Sequence, residues 1–100
     1  MGADFFGTYS KGKTAREAFT MSKSKAFHDY GHSGYTGSIA EKNTFIMIDV
    51  PEGFTPAKYA AKMIKEDDVR VSDKWGPAGC IFIRRDNDEN VYLFFGWASS

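Results

Sequence analysis

Apolar and polar positions fall into short blocks along this chain, and local chemistry marks most of the boundaries between them. Phe5 to Tyr9 is a brief aromatic stretch that predicts a first strand, closed by Lys11-Gly12-Lys13. Thr14 begins a helix: its hydroxyl can cap free backbone N–H groups, and Glu17, three residues on, completes a capping box. Ala15, Ala18, Phe19, Ser22 and Ala26 share one helical face, and Gly31 supplies a stop near Tyr30. Thr44 to Val50 predicts a strand that is apolar on both faces, Phe45/Met47 and Ile46/Ile48/Val50, and so belongs inside a sheet. After the Pro51-Glu52-Gly53 turn, Thr55 caps a second helix with Pro56 at its first position. Phe54 and Tyr59 form a hydrophobic staple across that cap, Ala60, Met63 and Ile64 make the buried stripe, and Glu66-Asp67-Asp68 ends the helix.

Val69 to Ser72 reads as a short edge strand, and Trp75-Gly76-Pro77-Ala78-Gly79 as a turn. Cys80–Arg85 and Val91–Trp97 are strands joined by the polar loop Asp86–Asn90. The last strand sets Val91, Leu93, Phe95 and Trp97 on one face, with Tyr92 and Phe94 on the other. The element order is therefore β-α-β-α-β-β. Two helices and a mixed sheet of about four strands predict an α+β fold, a two-layer sandwich with both helices on one face. Three strands are apolar on both faces. The face away from the helices then needs a cover, which the long loop, the tail, a second copy or a partner would supply.

Composition narrows the class. One hundred residues make a single domain, and 42% hydrophobic residues with 16% aromatics are ample for a packed interior. Thirteen basic and thirteen acidic side chains cancel, so no global field draws the chain to nucleic acid or an anionic membrane. Cys80 is the only cysteine, which excludes an intrachain disulfide and a multi-cysteine zinc site. The start Met1-Gly2-Ala3-Asp4 has neither the basic segment nor the apolar run of a secretion signal, and no apolar stretch approaches ~18 residues. These features predict a cytoplasmic protein with no membrane span.

Candidate chemistry concentrates in Gly31–Lys42, where three glycines in seven residues argue for a shaped loop. His28 and His32 are four apart and Glu41 follows, the residue types of a metal site. Gly31, however, ends the helix between the two histidines and breaks the geometry, so no metal and no cofactor is expected. Gly34, Thr36, Gly37 and Ser38 offer backbone N–H groups and hydroxyls, with Lys42 adding charge, a set suited to an anionic ligand. His32 and Glu41 form a candidate acid/base pair with Tyr35 beside them. Each has a plain structural alternative: glycines that turn corners, and hydroxyls that satisfy backbone groups. Cys80, at the start of an apolar strand, reads as a small hydrophobe. Arg84 and Arg85 beside aromatic strands suggest an RNA surface, but Val91–Trp97 lacks the signature of the common RNA-recognition sheet, which argues against nucleic acid.

The segment Tyr30-Gly31-His32-Ser33-Gly34-Tyr35-Thr36-Gly37-Ser38-Ile39-Ala40-Glu41-Lys42 resembles small uncharacterised proteins of bacteriophages and bacteria. The likeness takes in Thr14–Phe19 and reaches Phe45-Ile46, less than half of the chain. It carries no activity with it. It implies a phage or prophage setting, in the host cytoplasm, where small accessory domains bind host machinery. The leading expectation is a domain that acts by protein–protein binding or self-association. The alternative is a small enzyme or ligand-binding protein built on the Gly31–Lys42 loop.

Overall fold

A computed structural model describes residues 2–30 and 37–99 of the chain. Strand β1 spans Ala3–Gly12, helix α1 Ala15–Tyr30, β2 Phe45–Met47, α2 Pro56–Lys65, β3 Ala78–Asp86 and β4 Glu89–Ser99. A 3-10 turn, Ile39–Glu41, precedes β2. The sheet order is β1-β4-β3-β2, with β1–β4 and β3–β4 antiparallel and β2–β3 parallel. Two helices and a mixed four-stranded sheet make an α+β fold, with the elements in the predicted order.

The helix boundaries follow the local chemistry. The Thr14 hydroxyl accepts from the Glu17 N–H at 3.1 Å, and the Glu17 carboxylate accepts from the Lys13 N–H at 3.3 Å, so the cap reaches one residue further back than expected. Thr55 accepts from the Lys58 N–H, Pro56 opens α2, and the Phe54 and Tyr59 rings meet at 5.4 Å across that cap. α2 ends with Asp67 in the left-handed region at φ 51°, while the Asp68 N–H reaches back to the Met63 carbonyl at 2.9 Å. Gly12 ends β1 because α1 docks directly on it: a Cβ there would lie 2.6 Å from the Ala18 nitrogen.

The alternation along β4 divides the interior into two cores. Tyr92 and Phe94 pack with Ala18, Phe19, Ala26, Cys80 and Ala78 beneath α1. Leu93 and Phe95 pack with Ala60, Met63, Ile81, Val71 and Ile48 beneath α2. The helices therefore lie on opposite faces, and the sheet is the middle of three layers rather than one side of a two-layer sandwich. Strand order supplies the reason. Two antiparallel steps and one parallel step make β1, β2 and β3 all parallel. The α1 crossover carries the chain from β1 across the sheet to β2, and the α2 crossover brings it back to β3. Connections of one hand that travel in opposite directions must use opposite faces.

Strand boundaries depart from expectation: β1 runs Ala3–Gly12, twice the length of the expected Phe5–Tyr9 strand, and β3 starts at Ala78, inside the segment read as a turn. β2 is three residues long and lies at an edge, with Ile48, just past it, still bonded to the Cys80 carbonyl while its side chain is buried under α2. Val69–Ser72 is turn rather than strand; Val69 is 86% exposed while Val71 is buried, an alternation that imitates a strand. The loop between β3 and β4 contracts to the tight turn Asn87-Asp88, with Asn87 at φ 59°.

Candidate functional site

The sequence directs attention first to Gly31–Lys42. His32, Gly34, Tyr35 and Thr36 lie outside the described residues. Gly37 takes φ 67° and donates its N–H to the Ser99 carbonyl at 2.8 Å, tying the end of the loop to β4. Ser38 is buried and caps the 3-10 turn, accepting from the Ala40 N–H at 3.2 Å. Glu41 is half-buried in that turn, and His28 is exposed on the last turn of α1. Among the described residues, no group of three or more His, Cys, Asp or Glu side chains is placed to hold a metal ion.

Lys42 is the chief correction. Expected to face an anionic ligand, it is 1% exposed, and its ammonium donates to the carbonyls of Asp73, Lys74 and Gly76 at 3.3, 3.2 and 3.0 Å. Burial pushes its pKa below the usual lysine value, and the nearby Asp73 carboxylate partly opposes that. Three carbonyl oxygens match three ammonium donors, so this cation organises the 73–76 turn that leads into β3 and presents no charge to solvent. The signal was faint in the sequence: a lone lysine before an apolar strand looks like any surface lysine.

Cys80 is completely buried, and burial pushes its thiol up to about 12, which removes the thiolate a nucleophile needs. Arg84 and Arg85 are exposed near the tip of the β3–β4 hairpin, where Asp86, Asp88 and Glu89 offset their charge.

The more complete site lies along β1, an edge strand of ten residues. It pairs without interruption with β4, from Ala3 opposite Ser99 to Gly12 opposite Asn90. Among the described residues, no strand pairs with its outer side. A concavity flanks it on each face of the sheet. On the α1 face, a cleft of about 540 Å³ runs between β1 and α1, lined by polar and apolar groups alike, Thr8, Ser10, Ser22 and Lys25 beside Phe6 and Met21. The Ser10 and Ser22 hydroxyls donate to the carbonyls of Ala18 and Phe19, both at 2.9 Å. On the α2 face, a groove of about 340 Å³ is lined by Phe5, Gly7, Tyr9, Ala61, Ile64 and Phe95.

The groove exists because α2 covers only the β3–β4 half of its face. Small residues on its near side, Ala57 and Ala61, leave Phe5 and Tyr9 without a helix above them, 65% and 58% exposed. Phe5 is braced edge-on by Trp97 at 6.1 Å. A partner strand added to β1 would send alternate side chains to the two sides, one set over the apolar groove and the other over the cleft beside α1. The signal that could have found this site is the pair of rings Phe5 and Tyr9 set two positions either side of Gly7, although Phe6 between them interrupts a strict apolar–polar alternation.

No helix among the described residues is long and apolar enough to cross a membrane. No protein-family model, curated protein or solved structure matches this chain, so its function is argued from its own geometry.

Proposed function

We propose that this chain is a binding domain that associates with protein through the open edge of β1. The observation that carries the reading is a ten-residue edge strand beside an apolar groove of about 340 Å³. Unpaired backbone donors and acceptors on such an edge favour strand addition, and sheets that are not meant to pair usually shorten, charge or cover their edges. Here the apolar side chains nearest the edge are Phe5 and Tyr9, and Lys65 is the cation beside the groove. The alternative, a ligand site on the Gly31–Lys42 loop, has less support, because Ser38 and Lys42 are engaged with their own backbone.

Phe5→Lys and Tyr9→Lys test the reading, since each puts a charge into the groove while removing no buried contact under α2. Both variants should melt within a few degrees of the wild type and lose association, whether with this chain or with another protein. Association that persists undiminished in both variants overturns the reading.

A further inference from the structure

We infer that the occupant of the β1 edge is a second copy of this chain, paired antiparallel through β1 about a two-fold axis passing beside Gly7. This rests on the reading of β1 as a docking edge and adds the identity of its partner. A two-fold axis normal to the sheet pairs residues whose numbers have a constant even sum, so odd positions meet odd positions on one face. Centred on Gly7, it sets Phe5 opposite Tyr9 of the partner subunit, and Tyr9 opposite Phe5 of the partner subunit. Gly7 then lies opposite Gly7 of the partner subunit.

Three observations favour this occupant. The strand sets its exposed rings symmetrically about Gly7: Phe5, Gly7 and Tyr9 line the apolar groove on the α2 face, while Phe6, Thr8 and Ser10 turn toward α1. The axis normal to the sheet keeps those faces matched, so Phe5 of the partner subunit and Tyr9 of the partner subunit extend the groove side. Gly7 has open space where a Cβ would be, with no heavy atom within 4 Å, which leaves room for the four rings to close over the centre. Charge does not oppose the pairing either. Asp4 falls opposite Ser10 of the partner subunit and Lys11 opposite Ala3 of the partner subunit, so no like charges meet.

With the axis at Gly7, Ala3 to Lys11 pair on each side, nine residues that include two aromatic side chains more than half exposed, a small contact by the roughly 1,000 Å² standard of specific interfaces. That modest size predicts a reversible dimer and not an obligate one. Pairing also joins the two four-stranded sheets into one continuous sheet and protects the longer edge of each.

Cysteine cross-linking reads the register. Directly opposite residues of an antiparallel pair have Cα atoms about 4.5–5.5 Å apart, within disulfide reach. Gly7→Cys should therefore give a covalent dimer of twice the 11.2 kDa chain mass under mild oxidation. Thr8→Cys, whose symmetry mate lies on the diagonal at about 7–8 Å, should not, and neither should Asp88→Cys at the hairpin tip. Buried Cys80 does not compete. In parallel, sedimentation across the micromolar range should show a monomer–dimer equilibrium that Tyr9→Lys weakens about tenfold or more. A wild type that stays monomeric at several hundred micromolar (about the top of the reversible range), or an Asp88→Cys variant that cross-links as readily as Gly7→Cys, overturns the inference. A monomer that instead binds a strand from another protein through β1 also overturns it, while leaving the docking-edge reading intact. Only association indifferent to Phe5→Lys and Tyr9→Lys removes that reading as well.

Discussion

The two edges of the sheet are held by different forces. β1 is laddered to β4 over ten residues and rests on α1 through Phe6 and Ser10, with Phe5 and Tyr9 on its other face left outside. β2 pairs over three residues and is held by side chains that enter both cores. Phe45 closes a three-ring cluster with Phe19 at 5.1 Å and Phe94 at 5.8 Å, and Arg16 lies 5.6 Å from the Phe45 ring centre. Ile48 crosses to the opposite core, its N–H still bonded to the Cys80 carbonyl at 2.8 Å. Just upstream, buried Lys42 fixes the turn that feeds the neighbouring strand. An edge anchored by its side chains is short and offers little ladder to a stranger. An edge anchored by its ladder keeps its side chains available, which is why the docking surface falls at β1.

The largest effect that would break this contrast is at Lys42. Lys42→Met removes three charge-assisted hydrogen bonds and strands three carbonyls, and should cost about 3–4 kcal/mol in chemical denaturation. A loss below about 1 kcal/mol would mean that water satisfies those carbonyls and that the β2 side is not anchored there. Next, Ile48→Ala should cost about 3 kcal/mol, whereas Tyr9→Ala on the other edge should cost less than about 0.5 kcal/mol in the monomer. Equal losses would erase the distinction between the edges.

Hydrogen exchange sharpens the same comparison. Raising the protein concentration should slow exchange at the outward-facing amides of β1 and leave Ile46 and Met47 unchanged; uniform behaviour at both edges would count against dimerisation through β1. The smallest effect is in acid. Hydrogen bonds from Arg70 hold the Asp68 carboxyl down to about 2. A depressed carboxyl stabilises the fold above its unfolded value near 3.8 and loses that contribution as pH falls toward 2. The pair is at the surface, so solvent screening keeps the loss below about 1 kcal/mol, and Arg70→Ala should flatten that part of the pH profile. Such acid weakening lies beyond the end of α2 and should leave association through β1 intact.

The local elements were largely legible. Thr14 with Glu17, Thr55 with Pro56, and the Phe54–Tyr59 staple each act within one or two turns of chain, so the residues that make them are neighbours in sequence. The alternation of β4 showed both of its faces to be apolar, but with both helices expected on one face the second core, beneath α2, was not foreseen. The candidate site was less legible. The expected surplus of apolar sheet surface is taken up beneath α2, and glycines and polar groups drew attention to the Gly31–Lys42 loop. Phe5, Gly7 and Tyr9 were read only as part of a short strand. Nothing local distinguishes a ring destined for the core from one left beside a groove.

By itself, the sequence determined the order and type of the elements, the caps that start both helices, and the alternation that builds a two-sided sheet. Tertiary structure decided the rest. It set β1 and β2 at the two edges, sent α1 and α2 to opposite faces, drew Lys42 inward and left β1 open. The physical reason is range. Capping and periodicity arise from contacts a few residues apart, whereas strand order brings together residues such as Lys42 and Gly76, or Phe45 and Phe94, that are remote in the chain. Only once that order is fixed does crossover direction choose a face for each helix, and only then does a face have an uncovered half.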